Sequence, residues 1–292
     1  MADIDLRLPE NVPGDFFVDS SCIDCDACRQ IAPSTFRDYG DKSVVYRQPE
    51  SEDETLRALM ALVACPTASI GTVNRHDARP AVDAFPLHIE ENVYFCGFTS
   101  ESSFGAWSYL VVRPEAKGGN VLVDSPRFTM PLAKRIEAMG GVNTMFLTHR
   151  DDVADHSKFA ATFGCGRIMH AEDGAARLGI EQIVAGESPI RLDADMLVIP
   201  TPGHTRGHMV LLYRDKFLFT GDHLSWDPDE ATLRAFRSVA WYSWPRQKES
   251  VAKLLDYRFE WVLPGHGRIH REPADSMHRH LAECVEWMKT IR

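Results

Sequence analysis

Apolar residues along the chain come in short runs, and the character of those runs changes near position 86. Before it, FFVD and SVVY read as short strands and ESEDETLRALMALVAC as a helix. Residues 73–86 mix charge, proline and alanine without an apolar period and read as a linker. Beyond it, LHIEENVYFCGF, YLVVR and NVLVD are strand-like runs bounded by turn residues. PLAKRIEAMGG predicts a helix that stops at Gly140 and Gly141 and feeds the strand TMFLTH; HSKFAATFG predicts a second helix and GRIMH the strand after it. Further strands surround TPGHTRGH, and the runs KFLFTGDHL and EWVLPGHGR each pass from apolar residues into a glycine-containing turn. Strands alternating with helices, then strands again, predict a layered α/β domain whose functional residues sit on loops at strand ends. The expected division is a small α+β module over 1–72, a linker over 73–86 and a large α/β domain over 87–292.

A chain of 292 residues accommodates this pair of domains. Its 44% apolar and 25% charged content is that of an ordinary globular protein. A net charge of -10 argues against a phosphate-backbone partner, so no nucleic acid is expected. No run approaches the roughly 18 apolar residues of a membrane helix. MADIDLRLPENVPGDFFVDS lacks the basic start and apolar core of a secretory signal. A cytoplasmic location without a membrane partner is expected.

Four of the seven cysteines, Cys22, Cys25, Cys28 and Cys65, fall in the first module. In a reducing compartment such a cluster points to a metal site before a disulfide framework. C-x2-C-x2-C lets three thiolates curl around one face of an iron-sulfur cube; Cys65 closes the opposite corner and Pro66 turns the chain away. A four-cysteine zinc site is the competing reading, but such sites usually pair two C-x2-C elements, whereas here a triplet meets a single cysteine. The module resembles the bacterial single-cluster [4Fe-4S] ferredoxins. The resemblance implies a ferredoxin-like fold with these four cysteines as cluster ligands. Cys96, Cys165 and Cys284 read as buried small apolar residues.

Histidines and aspartates gather after apolar runs: LTHRDDVADH after TMF, His204 in TPGHTRGH, Asp222 in the GD pair after KFLFT, and His266 in PGHG. Imidazoles and carboxylates at strand ends suit a metal centre. On these motifs the segment from about 86 to 292 resembles the metallo-β-lactamase fold superfamily, which includes β-lactamases, glyoxalase II-type thioesterases, nucleases and flavodiiron proteins. The resemblance implies an αβ/βα sandwich with one or two divalent metal ions, zinc or iron, at one edge of the paired sheets. The superfamily's first motif, H-x-H-x-D-H, is altered here: Asp151 stands where the second histidine belongs, and Val153 and Ala154 intervene before Asp155 and His156. Carried over, the scheme assigns His149, Asp151 and His204 to one metal, Asp155, His156 and His266 to the other, and Asp222 as the bridge. Asp152 is the alternative to Asp151. A carboxylate in place of an imidazole makes the first site more tolerant of iron or manganese, and flavodiiron proteins carry a glutamate there.

His208, His223 and Asp124 read as groups that hydrogen-bond the ligands. Trp241, Tyr242 and Trp244 either wall a substrate pocket or pack the helix beginning near Arg246 against the sheet. Arg150, Arg206 and Arg246 are candidates to meet an anionic substrate. Three functions compete. The first is hydrolysis of a small ester, thioester or related bond, with Asp222 holding the metal-activated water. The second is a di-iron oxidoreductase fed by the cysteine module and a redox partner protein. The third is an iron-sulfur sensor with a degenerate hydrolase site.

Overall fold

The computed structural model describes residues 2–291. The first part contains strands β1 (Phe16–Val18), β2 (Phe36–Asp38), β3 (Ser43–Val45) and β4 (Ile70–Thr72), with helices α1 (Ala27–Ile31) and α2 (Glu52–Ala64). β1 pairs antiparallel with β4, and β2 with β3. Ser51 caps α2 by accepting the Glu54 amide, and the helix buries Ala58, Leu59, Met60, Ala61 and Ala64. The supposed linker is partly structured: helix α3 (Arg79–Asp83) lies within it, and Ala81 and Phe85 are fully buried. These two residues, four apart, face the same side, and Phe85 meets Phe95 and Phe98 edge-on at 5.8 Å. That contact joins the core of the first part to the core of the second.

The large domain begins with β5 (Leu87–Glu90), β6 (Val93–Phe95), β7 (Tyr109–Val111), β8 (Val121–Val123), helix α4 (Met130–Ala138), β9 (Thr144–Phe146), helix α5 (His156–Phe163), β10 (Gly166–His170) and β11 (Gln182–Val184). These strands form one seven-stranded sheet in the order β11-β10-β9-β8-β7-β6-β5. β8, β9 and β10 are parallel neighbours joined through α4 and α5. Two right-handed crossovers in the same direction place both helices on one face of the sheet.

The second sheet follows: β12 (Ile190–Arg191), β13 (Met196–Pro200), β14 (Met209–Tyr213), β15 (Phe217–Gly221), then the hairpin β16 (Ser225–Asp227) and β17 (Thr232–Arg234), helix α6 (Trp244–Lys253), β18 (Trp261–Pro264), β19 (His270–Arg271) and helix α7 (Ala274–Thr290). Its order is β12-β13-β14-β15-β18-β19, with β15 and β18 parallel. The run MVLLY in β14 is apolar throughout because both faces are covered. Met209, Leu211 and Tyr213 enter the core shared with the first sheet. Val210 and Leu212 enter a second core beneath α6 and α7. β15 divides likewise, with Phe217 and Phe219 inward and Leu218 outward. The layers therefore run helix, sheet, sheet, helix, which is the αβ/βα sandwich. Helix α7 has no counterpart among the elements read from the sequence. Met277, Leu281, Cys284, Val285 and Met288 form its buried stripe, at helical spacing but diluted by the charged residues between them.

Candidate functional site

Strands β9, β13, β15 and β18 end on the same edge of the sandwich, and each delivers side chains to one place. His149, His204 and Asp222 present ligand atoms within 4.8 Å of one another, and so do Asp152, Asp222 and His266. Asp222 belongs to both groups. Its Oδ2 lies 3.7 Å from His149 Nε2, 3.6 Å from His204 Nε2 and 3.8 Å from His266 Nε2. Asp151 joins the first group, with Oδ2 3.4 Å from His204 Nε2 and 3.9 Å from His149 Nε2.

Glycines make this approach possible. Gly221 precedes Asp222 with φ +47°, and a Cβ there would meet His208 Nε2 at 2.6 Å. A Cβ on Gly265, just before His266, would lie 2.6 Å from Asp152 Oδ2 and 2.7 Å from Asp222 Oδ1. The glycine of the GD motif thus leaves room for the histidine that supports Asp222, and the first glycine of GHG for the carboxylates themselves.

The histidines are oriented by their far nitrogens. His204 Nδ1 donates to the Val239 carbonyl at 2.6 Å; a carbonyl only accepts, so the proton sits on Nδ1 and Nε2 keeps its lone pair. Thr148 Oγ1 donates to the Asp124 carboxylate at 3.0 Å and contacts His149 Nδ1 at 2.9 Å, which sets the same tautomer. His208 supports the centre rather than entering it: its Nδ1 contacts Thr201 Oγ1 at 2.9 Å, and its Nε2 accepts the Asp222 amide at 3.3 Å. His223 stacks on His208 with ring centroids 4.5 Å apart. Asp173 was not singled out by sequence. It is buried and accepts from Thr205 Oγ1 at 2.6 Å, the Gly207 amide at 2.7 Å and the Arg150 amide at 3.1 Å, bracing the loops that carry His149 and His204. One of two adjacent acids between a strand and a turn, as in HAEDG, offers little sequence signal.

The donor atoms that face inward lack protein partners. His149 Nε2, His204 Nε2, Asp222 Oδ1 and both oxygens of Asp152 are buried and make no hydrogen bond. A buried polar group without a partner costs about 1–3 kcal/mol and a charged one more. Five such atoms around one point fit a site built for cations. The titration behaviour agrees. Burial, then the charges of Asp222, Asp124 and Asp151, push Asp152 well above the carboxylate range. Burial lowers His149 to about 4 despite Asp222. Burial would raise Asp222, but His266, His149 and His204 together hold it below its usual value. Bound cations reverse such repulsion among acids.

Asp155 and His156 are not brought to this centre. Asp155 precedes α5, where its Oδ2 accepts the Phe128 amide at 2.8 Å and its Oδ1 pairs with Lys158 at 2.7 Å. His156 opens α5, and its Nδ1 meets Arg167 at 3.0 Å. The helix begins at the very residues the motif spacing selected and turns them away. Asp152, the alternative read from sequence, takes the place beside Asp222 and His266, while its neighbour Asp151 turns to the other group.

The cysteine module faces the same centre. A cavity of about 780 Å³ is lined by Asp24, Cys25, Asp26 and Arg29 on one side and by Asp151, Asp152, His204, Asp222 and His266 on the other. Phe104, Phe236 and Trp241 line it as well. The two sides are stitched together: Gln30 donates to the Gly267 carbonyl and accepts the Ile269 amide at 3.1 Å, and Arg268 pairs with Asp26 at 3.1 Å. Gly105 lies so close to Cys25 that a Cβ there would approach its Cβ at 2.5 Å.

All four cysteines of the module are unpaired. Backbone amides of Ser43 and Asp24 point at Cys22 Sγ (3.4 and 3.5 Å), and that of Ser69 at Cys65 Sγ (3.3 Å). Burial, opposed by the Ala27 amide and reinforced by Cys65 and Cys22, pushes the Cys25 thiol up to about 12.

Of the aromatic trio, Trp241 is on the cavity wall and 63% exposed, whereas Trp244 is buried in the core under α6. The two readings of VAWYSWPRQ therefore apply to different residues. The segment is tied to the ligand loop, with the Tyr242 amide donating to the His204 carbonyl at 2.9 Å and the Ser243 amide to that of Gly203 at 2.9 Å.

Residues 18–72 match the family described as the 4Fe-4S single cluster domain of Ferredoxin I. The chain is 32% identical over 119 residues to hydroxyacylglutathione hydrolase of Rhodospirillum rubrum, covering 39% of this chain and 46% of that one. It is 31% identical over 140 residues to the hydroxyacylglutathione hydrolase of Rhizobium etli, covering 47% and 52%. The chain thus spans about half the length of these curated relatives. An archaeal metallo-β-lactamase superfamily protein from Sulfolobus tokodaii superposes with a TM-score of 0.47 at 17% identity, covering 70% of this chain and 88% of that one. A segment matching a single-cluster 4Fe-4S domain is here joined to a domain of two facing sheets. No described helix is long and apolar enough to cross a membrane.

Proposed function

We propose that the chain is a metal-dependent hydrolase of a small ester or thioester, with a [4Fe-4S] cluster on Cys22, Cys25, Cys28 and Cys65. The observation that carries this reading is the pair of ligand groups sharing Asp222, whose inward-facing atoms are buried without protein partners. His149, His204 and Asp151 would hold one divalent ion, Asp152 and His266 the other, with Asp222 common to both. Such ions supply water activation at neutral pH and polarisation of a scissile carbonyl. The chain's own residues orient. Val239 and Thr148 fix the imidazoles, Asp222 would align the attacking water, and Phe104, Phe236 and Trp241 line the approach. The thioester class is supported by the similarity to hydroxyacylglutathione hydrolases. A reducing, cytoplasmic setting suits seven unpaired cysteines.

The test is anaerobic purification, elemental analysis and assay against a panel of small esters and thioesters that includes a hydroxyacylglutathione. The proposal expects two ions in the large domain, four irons in the module and hydrolysis that falls about 10²–10³-fold in Asp222→Ala. Full activity in that variant overturns it. A second reading, a di-iron oxidoreductase receiving electrons from a redox partner protein through the cluster, is favoured by Cys25 and the metal ligands lining one cavity. A large domain that holds only zinc in the active protein excludes it.

A further inference from the structure

We infer that the cavity selects a neutral ester or thioester with an apolar or aromatic group and discriminates against anionic carriers such as glutathione, the cysteine module acting as the discriminating wall. This rests on the hydrolase reading and names its substrate class. The first support is the cavity wall. Phe104, Phe236 and Trp241 are 57%, 42% and 63% exposed, and all three line the one cavity that contains the metal ligands. Large apolar side chains left in water around a single mouth mark a surface meant to be covered. Trp241 sits with its ring 6.2 Å from that of His204, so a group resting on it is beside the reacting bond.

The second support is charge. Arg29 is the only lysine or arginine among the described residues lining the cavity, and its guanidinium is already held by Asp24 at 2.9 Å, by Asp26 and by Asp38. Arg268, next to the cavity-lining Gly267, is engaged with Asp26. On the wall itself two carboxylates, Asp24 and Asp26, face one guanidinium, Arg29, leaving it net negative. Of the arginines that motif position suggested for an anion, Arg206 pairs with Glu172 at 3.0 Å and Arg246 with Glu187 and Glu249, away from the cavity lining, while Arg150 lies 3.7 Å from Asp151. A glutathione thioester brings two carboxylates and one ammonium, a net anion whose carrier portion would face this acidic wall, where the one lining guanidinium, Arg29, is already paired.

The third support is rigidity. Asp24 and Asp26 have φ of +59° and +66°, the left-handed form that aspartate adopts more readily than most side chains and that suits a tight loop. The bonds from Gln30 to Gly267 and Ile269 lock the loop against the large domain. The acidic wall thus has a fixed position facing the metal ligands.

The experiment compares one acyl group on two carriers, a mandeloyl thioester of neutral N-acetylcysteamine and the same thioester of glutathione, with the as-purified protein. The neutral carrier is expected to show at least ten-fold higher kcat/KM, a gap that narrows as salt screens the wall. Trp241→Ala and Phe236→Ala are each expected to raise KM for the neutral thioester about ten-fold with kcat little changed, from losing on the order of 50 Å² of apolar contact. Calorimetric binding of the corresponding non-hydrolysable amide should weaken by the same factor in Trp241→Ala. Equal or better turnover of the glutathione thioester overturns the inference and leaves the hydrolase reading intact. If a fully metallated protein hydrolyses neither thioester, the hydrolase reading falls. Amide binding then still decides, since affinity unchanged in Trp241→Ala refutes the aromatic wall.

Discussion

Replacing Asp152 by asparagine should change the sign of its effect with metal. Asp152 is 1% exposed, neither of its oxygens has a protein partner, and Asp222, Asp124 and Asp151 surround it with negative charge. In metal-free protein the substitution removes a buried, repelled carboxylate, so stability should be unchanged or slightly higher. With metal the same change deletes an anionic ligand. Loss of a residue that merely supports a ligand weakens metal binding about 10–100-fold, so loss of the ligand itself should reach at least ~100-fold, or ~2.7 kcal/mol. Metal-linked stabilisation falls by about that amount, which at ~2–4 °C per kcal/mol lowers the metal-dependent rise in Tm by roughly 5–10 °C. Thermal unfolding with and without chelator, together with elemental analysis, measures both halves, and Asp155→Asn and His156→Gln serve as parallel variants. Two tightly held ions in Asp152→Asn, or loss of one in Asp155→Asn, would refute the assignment of the second ligand group.

Thr148→Val removes the hydroxyl between Asp124 and His149 and should weaken the first metal about 10–100-fold in a chelator competition, with Thr148→Ser restoring most of it. Gly105→Ala forces a side chain at φ +84° into Cys25; it should cost about 2 kcal/mol and lower cluster content, read as visible absorbance per chain. Gly118→Ala, at a similar φ of +86° but in open space, should leave the cluster intact. Arg29→Met leaves Asp24, Asp26 and Asp38 facing one another; because two of these acids are partly solvated, the expected loss is about 2 kcal/mol, seen as faster cluster release that salt partly suppresses.

Metal-site residues were legible in sequence to different degrees, for a physical reason. His204, Asp222 and His266 each follow a strand and sit beside a glycine whose missing Cβ admits a close neighbour: Gln247 of α6 at Gly203, His208 and Thr148 at Gly221, and Asp152 and Asp222 at Gly265. Strand, glycine and ligand are adjacent in the chain, so the local pattern is itself the geometry. The loop after β9 has no such guarantee. Spacing selected Asp155 and His156, but the start of α5 depends on Asp155 bonding to the Phe128 amide and His156 meeting Arg167, and both partners are remote in sequence. Helix α7 went unread because its buried stripe has meaning only once the second sheet provides a face to cover.

By itself the chain determined the strand-and-helix alternation, the cysteine set, and the three glycine-bound ligands, since each depends on neighbours within a few residues. Tertiary structure decided that Asp152 completes the second ligand group, that Trp241 lines the cavity while Trp244 enters the core, and that the cysteine loop walls the same cavity as the metal ligands. Those outcomes depend on which faces meet when two sheets stack and a small module docks against them, and no local pattern of residues encodes where a side chain finds its distant partner.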